Sequence, residues 1–160
     1  GSDALRIQKN GKITFHAAES GQARFQALSA REKDLQIKAE EILDGVTAGH
    51  LGEGTMFCQS IETQEDGSVA LVFCYLLNGT QVQLWEEGWS ARFLFEGSDC
   101  TAFCLREYTL TERSQQALPE RQAAAAAVAM GQTGKELQLC YLDNGTTPEI
   151  AADWTVRERT

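Results

Sequence analysis

Nothing in these 160 residues approaches the 18-residue apolar run that a membrane-spanning helix needs, so insertion of this chain into a membrane is not expected. The sequence also has no run of Lys or Arg. Fourteen basic residues stand against 23 acidic ones, for a formal charge of -9 and a pI near 4.7. Phosphate binding needs a concentrated cationic field, so nucleic acid and anionic membrane surfaces are poor partners. Histidine is scarce. A Cys-His or Ser-His nucleophile pair would have to use His16 or His50, and neither has a motif around it. Carboxylate pairs such as Glu40-Glu41 and Glu86-Glu87 fall on polar faces and form no acid/base dyad. The cysteine count of five is odd, which argues against a disulfide-built scaffold, and no Cys/His set has zinc-ligand spacing. The expectation is no catalytic residue, no metal and no cofactor.

What is present is the composition of a soluble globule, 42% hydrophobic and 23% charged in 17.6 kDa. The chain opens Gly1-Ser2-Asp3 without an initiator Met and reads as trimmed, with an export or anchor segment expected upstream.

Along the chain, Leu5 to Ala17 alternates around Asn10-Gly11, a hairpin with a type I′ turn. Ser29-Ala30-Arg31-Glu32 has the spacing of a capping box. Leu35, Ala39, Ile42, Leu43 and Val46 then form an apolar stripe, predicting a helix from about Ala30 to Asp44 with Gly45 and Gly49 as stops. The glycine-rich stretch Gly49 to Gly54 lacks the Lys-Ser/Thr of a phosphate loop and reads as a connector. Strands follow. Phe57–Ile61 and Val69–Leu77 flank an Asp-Gly turn, and Asn78-Gly79 returns the chain through Thr80–Trp85. A two-residue turn there places Tyr75 opposite Val82 and Phe73 opposite Leu84, on one face with Val69 and Leu71. Ser90–Phe95 and Cys100–Leu110 pair around Gly97-Ser98. Leu118-Pro119 opens a second, alanine-rich helix to Gly131. Leu137–Leu142 and a strand around Trp154 and Val156 close the chain.

The strongest pattern is a self-match. Cys74-Tyr75-Leu76-Leu77-Asn78-Gly79-Thr80 recurs as Cys140-Tyr141-Leu142-Asp143-Asn144-Gly145-Thr146, each followed by a tryptophan, Trp89 and Trp154. The economical reading is a duplicated helix-plus-hairpin unit with Tyr75, Trp89, Tyr141 and Trp154 as core anchors. Both copies contain an Asn-Gly-Thr sequon, which turn chemistry already explains. If the Glu65–Gly67 loop has three residues, Cys58 falls opposite Cys74, where a disulfide can form; a two-residue loop removes that pairing. Cys100 and Cys104, four apart on one strand, are too distant to bridge each other.

Residues 55–158 carry a further pattern: Tyr75 with Asn78-Gly79, Ser90-Ala91-x-Phe93-x-Phe95-x-Gly97, Arg106-x-Tyr108-Thr109, Leu118-Pro119-Glu120-x-Gln122-Ala123 and Tyr141-Leu142-Asp143 with Trp154-x-Val156. This resembles the YycH/YycI-type extracytoplasmic regulators of Gram-positive two-component systems. The resemblance implies tandem helix-and-sheet repeats, no catalytic residues, and an anchored domain outside the membrane that restrains a sensor kinase by contact.

The expected fold is α+β: a twisted antiparallel sheet of meander hairpins with two packed helices and an internal duplication. Residues 1–54 supply the first hairpin and amphipathic helix, and 55–160 the strand-rich repeat region, packed together as one domain. The expected function is a non-catalytic extracytoplasmic interaction domain with a protein partner, a membrane sensor kinase under the resemblance. The alternative is a small-ligand or peptide binding module with a curved sheet.

Overall fold

A computed structural model describes residues 3–8, 11–18, 24–47, 54–77, 79–84, 88–106, 135–143 and 151–158. In chain order these form β1 (Ala4–Ile7), β2 (Lys12–His16), α1 (Glu32–Thr47), β3 (Thr55–Thr63), β4 (Val69–Leu77), β5 (Thr80–Leu84), β6 (Ala91–Glu96), β7 (Asp99–Arg106), β8 (Lys135–Asp143) and β9 (Ala151–Glu158). The strands make one sheet in the order β1-β2-β7-β6-β4-β5-β8-β9, with β3 on β4. The architecture is α+β with a mainly antiparallel sheet. The helix expected at Leu118–Gly131 lies outside the described residues, and so does most of the Gly49–Gly54 connector.

Two hairpins share one turn geometry. In the first, Gln8 N donates to the Lys12 carbonyl (2.9 Å) and Gly11 N to the Gln8 carbonyl (3.0 Å). In the second, Gln64 N donates to the Ser68 carbonyl (2.7 Å) and Gly67 N to the Gln64 carbonyl (3.0 Å). Each has three residues between the closing pair, and the third is a glycine with positive φ, 84° at Gly11 and 87° at Gly67. Such a loop needs left-handed backbone only at its last position, where the absence of a Cβ removes the steric cost. The first hairpin is therefore one residue longer in its turn than the expected type I′.

Helix α1 begins two residues later than the capping box suggests. Ser29 Oγ accepts from Arg31 N (3.1 Å) and pairs with the Asp34 carboxylate rather than with Glu32. The Arg31 carbonyl then takes the first helical bond, from Leu35 N at 3.0 Å. At the other end the helix runs through Gly45 because Val46 packs against the core. Leu35, Ala39, Ile42 and Leu43 are buried, as their spacing requires. They face the side of the sheet that carries Ile13, Phe15, Leu71, Phe73, Tyr75, Phe93, Phe95, Phe103 and Leu105.

An aromatic row crosses the sheet beneath the helix. Phe15 stacks on Phe103 at 5.2 Å, Phe103 meets Phe93 at 5.5 Å, and Phe93 meets Phe73 edge-on at 5.5 Å. Phe25 closes the row with an edge contact to Phe15 at 5.0 Å. Its backbone is held by the β6–β7 turn, since Cys100 N donates to the Phe25 carbonyl and Ala27 N to the Ser98 carbonyl. That tie steers the chain from the first hairpin up onto the sheet face and into α1.

The sheet departs from a meander at β4. Its outer edge pairs with β3 throughout, while its other edge is shared end to end by two strands. β5 pairs with it only from Leu77↔Thr80 to Tyr75↔Val82, and β6 takes over at Phe73↔Ala91. The expected Phe73–Leu84 pair is not made. After Val82 the chain leaves β4, and Leu84 pairs instead with Asp143 of β8. β8 runs parallel to β5, the one parallel pairing among the described strands. Parallel neighbours require a long crossover rather than a hairpin, which local periodicity does not reveal.

Candidate interaction surface

Ser90 stands at the fork where β5 and β6 part. Its amide donates to the Phe73 carbonyl (2.9 Å), and its hydroxyl oxygen accepts from Tyr75 N (3.2 Å) and donates to the Val82 carbonyl (2.6 Å). One fully buried hydroxyl thus ties β4 to both neighbours at the point where they part. The sequence shows this residue only as the start of a strand, a serine beside Trp89, with no signal of its bridging role.

The expected Cys58–Cys74 disulfide is not formed. The three-residue turn that would bring the two cysteines opposite is present, but a bulge between Cys58 and Ser60 shifts the register by one. Cys58 faces Phe73, Cys74 faces Phe57, and neighbouring register positions lie on opposite faces. None of the four described thiols is in a disulfide. Cys74 is buried with Sγ 2.7 Å from the Gln59 Oε1 acceptor, the side chain of the bulged residue.

Neither Cys58 nor Cys100 has the electrostatics of a nucleophile. Burial pushes Cys100 up to about 12, against smaller lowering by the backbone at Ala102 and by the positive charge of Lys38. Cys58 is also raised, by burial and then by the negative charge of Glu40, with the backbone at Ser60 opposing. Reactive cysteines sit in the reverse environment, with cations and amides that favour thiolate. Cys100 lies on the core face and Cys104 on the other, so they remain apart. Among the described residues no cluster of three or more His, Cys, Asp or Glu could hold a metal. His16 ends β2 on the surface, and His50 lies outside the described residues.

Of the four anchors, Tyr75 is fully buried and Trp89 partly buried, beside Ser90. Tyr141 and Trp154 lie on β8 and β9, where Trp154 pairs with Leu139. Trp89 lies outside β5, so the two tryptophans occupy different places relative to their hairpins.

What remains is surface. The layer between α1 and the sheet is filled by the aromatic row and the helix's buried stripe. The helix's outer side carries Glu32, Glu41 and Asp44, with Lys38 paired to Glu41 at 3.1 Å. At one end of the sheet, β1 pairs only with β2 among the described residues and leaves Leu5 and Ile7 47% and 71% exposed. No helix among the described residues is long and apolar enough to cross a membrane. These features suit contact with another macromolecule.

The fold is YycH-like. It is similar to the crystal structure of YycH from Bacillus subtilis, with a TM-score of 0.56 at 13% sequence identity. The likeness covers 99% of this chain and 40% of that one, so the chain spans well under half of the neighbour's length. No protein-family model matches the chain, and no curated protein matches it.

Proposed function

We propose that this chain is a non-catalytic extracytoplasmic interaction domain, membrane-anchored in the full-length protein, that modulates the sensor kinase of a two-component system by direct contact. The observation that carries the reading is the YycH-like fold over 99% of the chain. It agrees with the resemblance in residues 55–158, and the raised Cys58 and Cys100 thiols and the filled helix–sheet layer suit a scaffold better than an enzyme.

The same reading takes β4–β5 and β8–β9 as diverged copies of one unit, with Tyr75, Trp89, Tyr141 and Trp154 descended from common positions. The six matching residues in seven support it, and β5 and β8 lie side by side at Val82↔Tyr141.

The test uses the full-length protein in its own cells. Protease added to intact cells should remove this domain, and in-cell crosslinking should join it to a sensor kinase whose autophosphorylation rises when the protein is deleted. A protein protected from external protease, or a kinase indifferent to its deletion, would overturn the reading.

A further inference from the structure

The first 31 residues carry five basic side chains against two acidic ones, while the remainder carries nine against twenty-one. The β1–β2 hairpin is thus a cationic end on an acidic protein. It is also where the sheet stops. Gln8 N bonds the Lys12 carbonyl, so in this antiparallel ladder the bonded positions are Gln8, Arg6 and Ala4. The backbone N–H and C=O groups of Leu5 and Ile7 therefore point away from β2, along the outer edge. Their side chains share the core face with Phe15 and Ile13, to which they are paired, yet they stand exposed. Arg6, on the opposite face, is exposed as well. The outer edge of β3 differs, since the bulge at Gln59 interrupts its regular spacing.

We propose that the outer edge of β1 is a strand-addition site for an acidic, extended segment of a partner protein, alternating apolar and carboxylate residues. In such a segment the backbone bonds Leu5 and Ile7, the apolar residues cover their side chains, and the carboxylates meet Arg6 on the other face. The chemistry follows from three coincident properties of one short strand: ladder groups that no described strand pairs, apolar side chains that stand exposed, and the positive charge of Arg6 in a chain of net charge -9. The proposal rests on the interaction-domain reading, but its test needs no kinase, so either can fail without the other.

The probe is an end-blocked peptide, Glu-Val-Glu-Val-Glu-Val-Glu, titrated into the isotopically labelled chain and followed by amide NMR and hydrogen exchange. Saturable shifts should centre on residues 4–7, with the Leu5 and Ile7 amides becoming protected. The same peptide with Lys for Glu should not bind. Arg6→Glu should weaken binding by about fivefold, the scale of surface ion pairs. Ile7→Pro should abolish it while the hairpin survives, because the Ile7 amide makes no bond to β2 and an edge tolerates proline there. Shifts centred elsewhere, equal binding of the Lys peptide, no saturable binding, or full binding by Ile7→Pro would each overturn the proposal. So would concentration-dependent protection of the same amides without peptide, which would make a second copy of the chain the occupant.

Discussion

Ser90 shows how much one hydroxyl can decide. Three hydrogen bonds converge on it inside the sheet, two of them through its hydroxyl to the backbone of β4 and β5. Ser90→Ala would remove the hydroxyl's bonds to the Tyr75 amide and the Val82 carbonyl in a dry environment, at a cost of about 1–3 kcal/mol. Denaturant unfolding should show a lower midpoint with an unchanged m-value; a stability equal to the unmodified chain would mean the fork is held some other way. Cys100 supplies a second residue-scale expectation. The folded chain keeps a thiol proton, with its pKa moved from 9.0 up to about 12, that the unfolded chain releases near 9.0. Stability is therefore intact below pH 9 and falls as pH rises toward about 12, by about 1.4 kcal/mol per unit at most. The stability gap between the unmodified chain and Cys100→Ala should narrow over that range, and a constant gap would show that the thiol does not titrate differently on unfolding.

At the scale of elements, β3 holds its face by carrying one residue too many. Ser60↔Val72 and Cys58↔Phe73 are consecutive pairs on β4, so Gln59 is the extra residue of the bulge. Deleting Gln59 should leave every other pair and the core face in place, with a loss of about 1–2 kcal/mol. Deleting Glu62, in the regular part of the ladder, turns one half of the strand inside out and should abolish cooperative unfolding. Circular dichroism melts of the two variants test this directly, and equal behaviour would refute the assignment. Helix α1 offers a contrast, since its stripe was readable from spacing alone. Leu43→Ala should cost about 2–5 kcal/mol because Leu43 is fully buried against the sheet. The helix start was less legible. Ser29 satisfies the Arg31 amide and Asp34 locally, and that local geometry outcompetes the box with Glu32.

For the whole molecule, the N-terminal third is not an appendage. Ile13, Phe15, Leu35 and Leu43 are buried in the same cluster as Phe73, Phe93 and Phe103, and β2 pairs with β7 some ninety residues later. Residues 55–160 expressed alone should therefore lack a cooperative unfolding transition; a sharp transition would make 1–54 dispensable to the core. Pairings between such distant segments also predict refolding on the millisecond-to-second scale typical of non-local β structure. Stopped-flow fluorescence would contradict this if refolding finished in microseconds.

Local chemistry determined a good deal in this chain. Alternation and glycine placement marked the hairpins, the three- and four-residue spacing marked α1, and Asn78-Gly79 set the Tyr75–Val82 register, because each depends on neighbours a few residues away. Only the tertiary structure decided that β5 leaves β4 after Val82 to pair with β8, that Ser90 seals the resulting gap, and that a bulge at Gln59 separates Cys58 from Cys74. Those features depend on which distant strand offers free backbone groups at a given edge, and no periodicity within one segment records that competition.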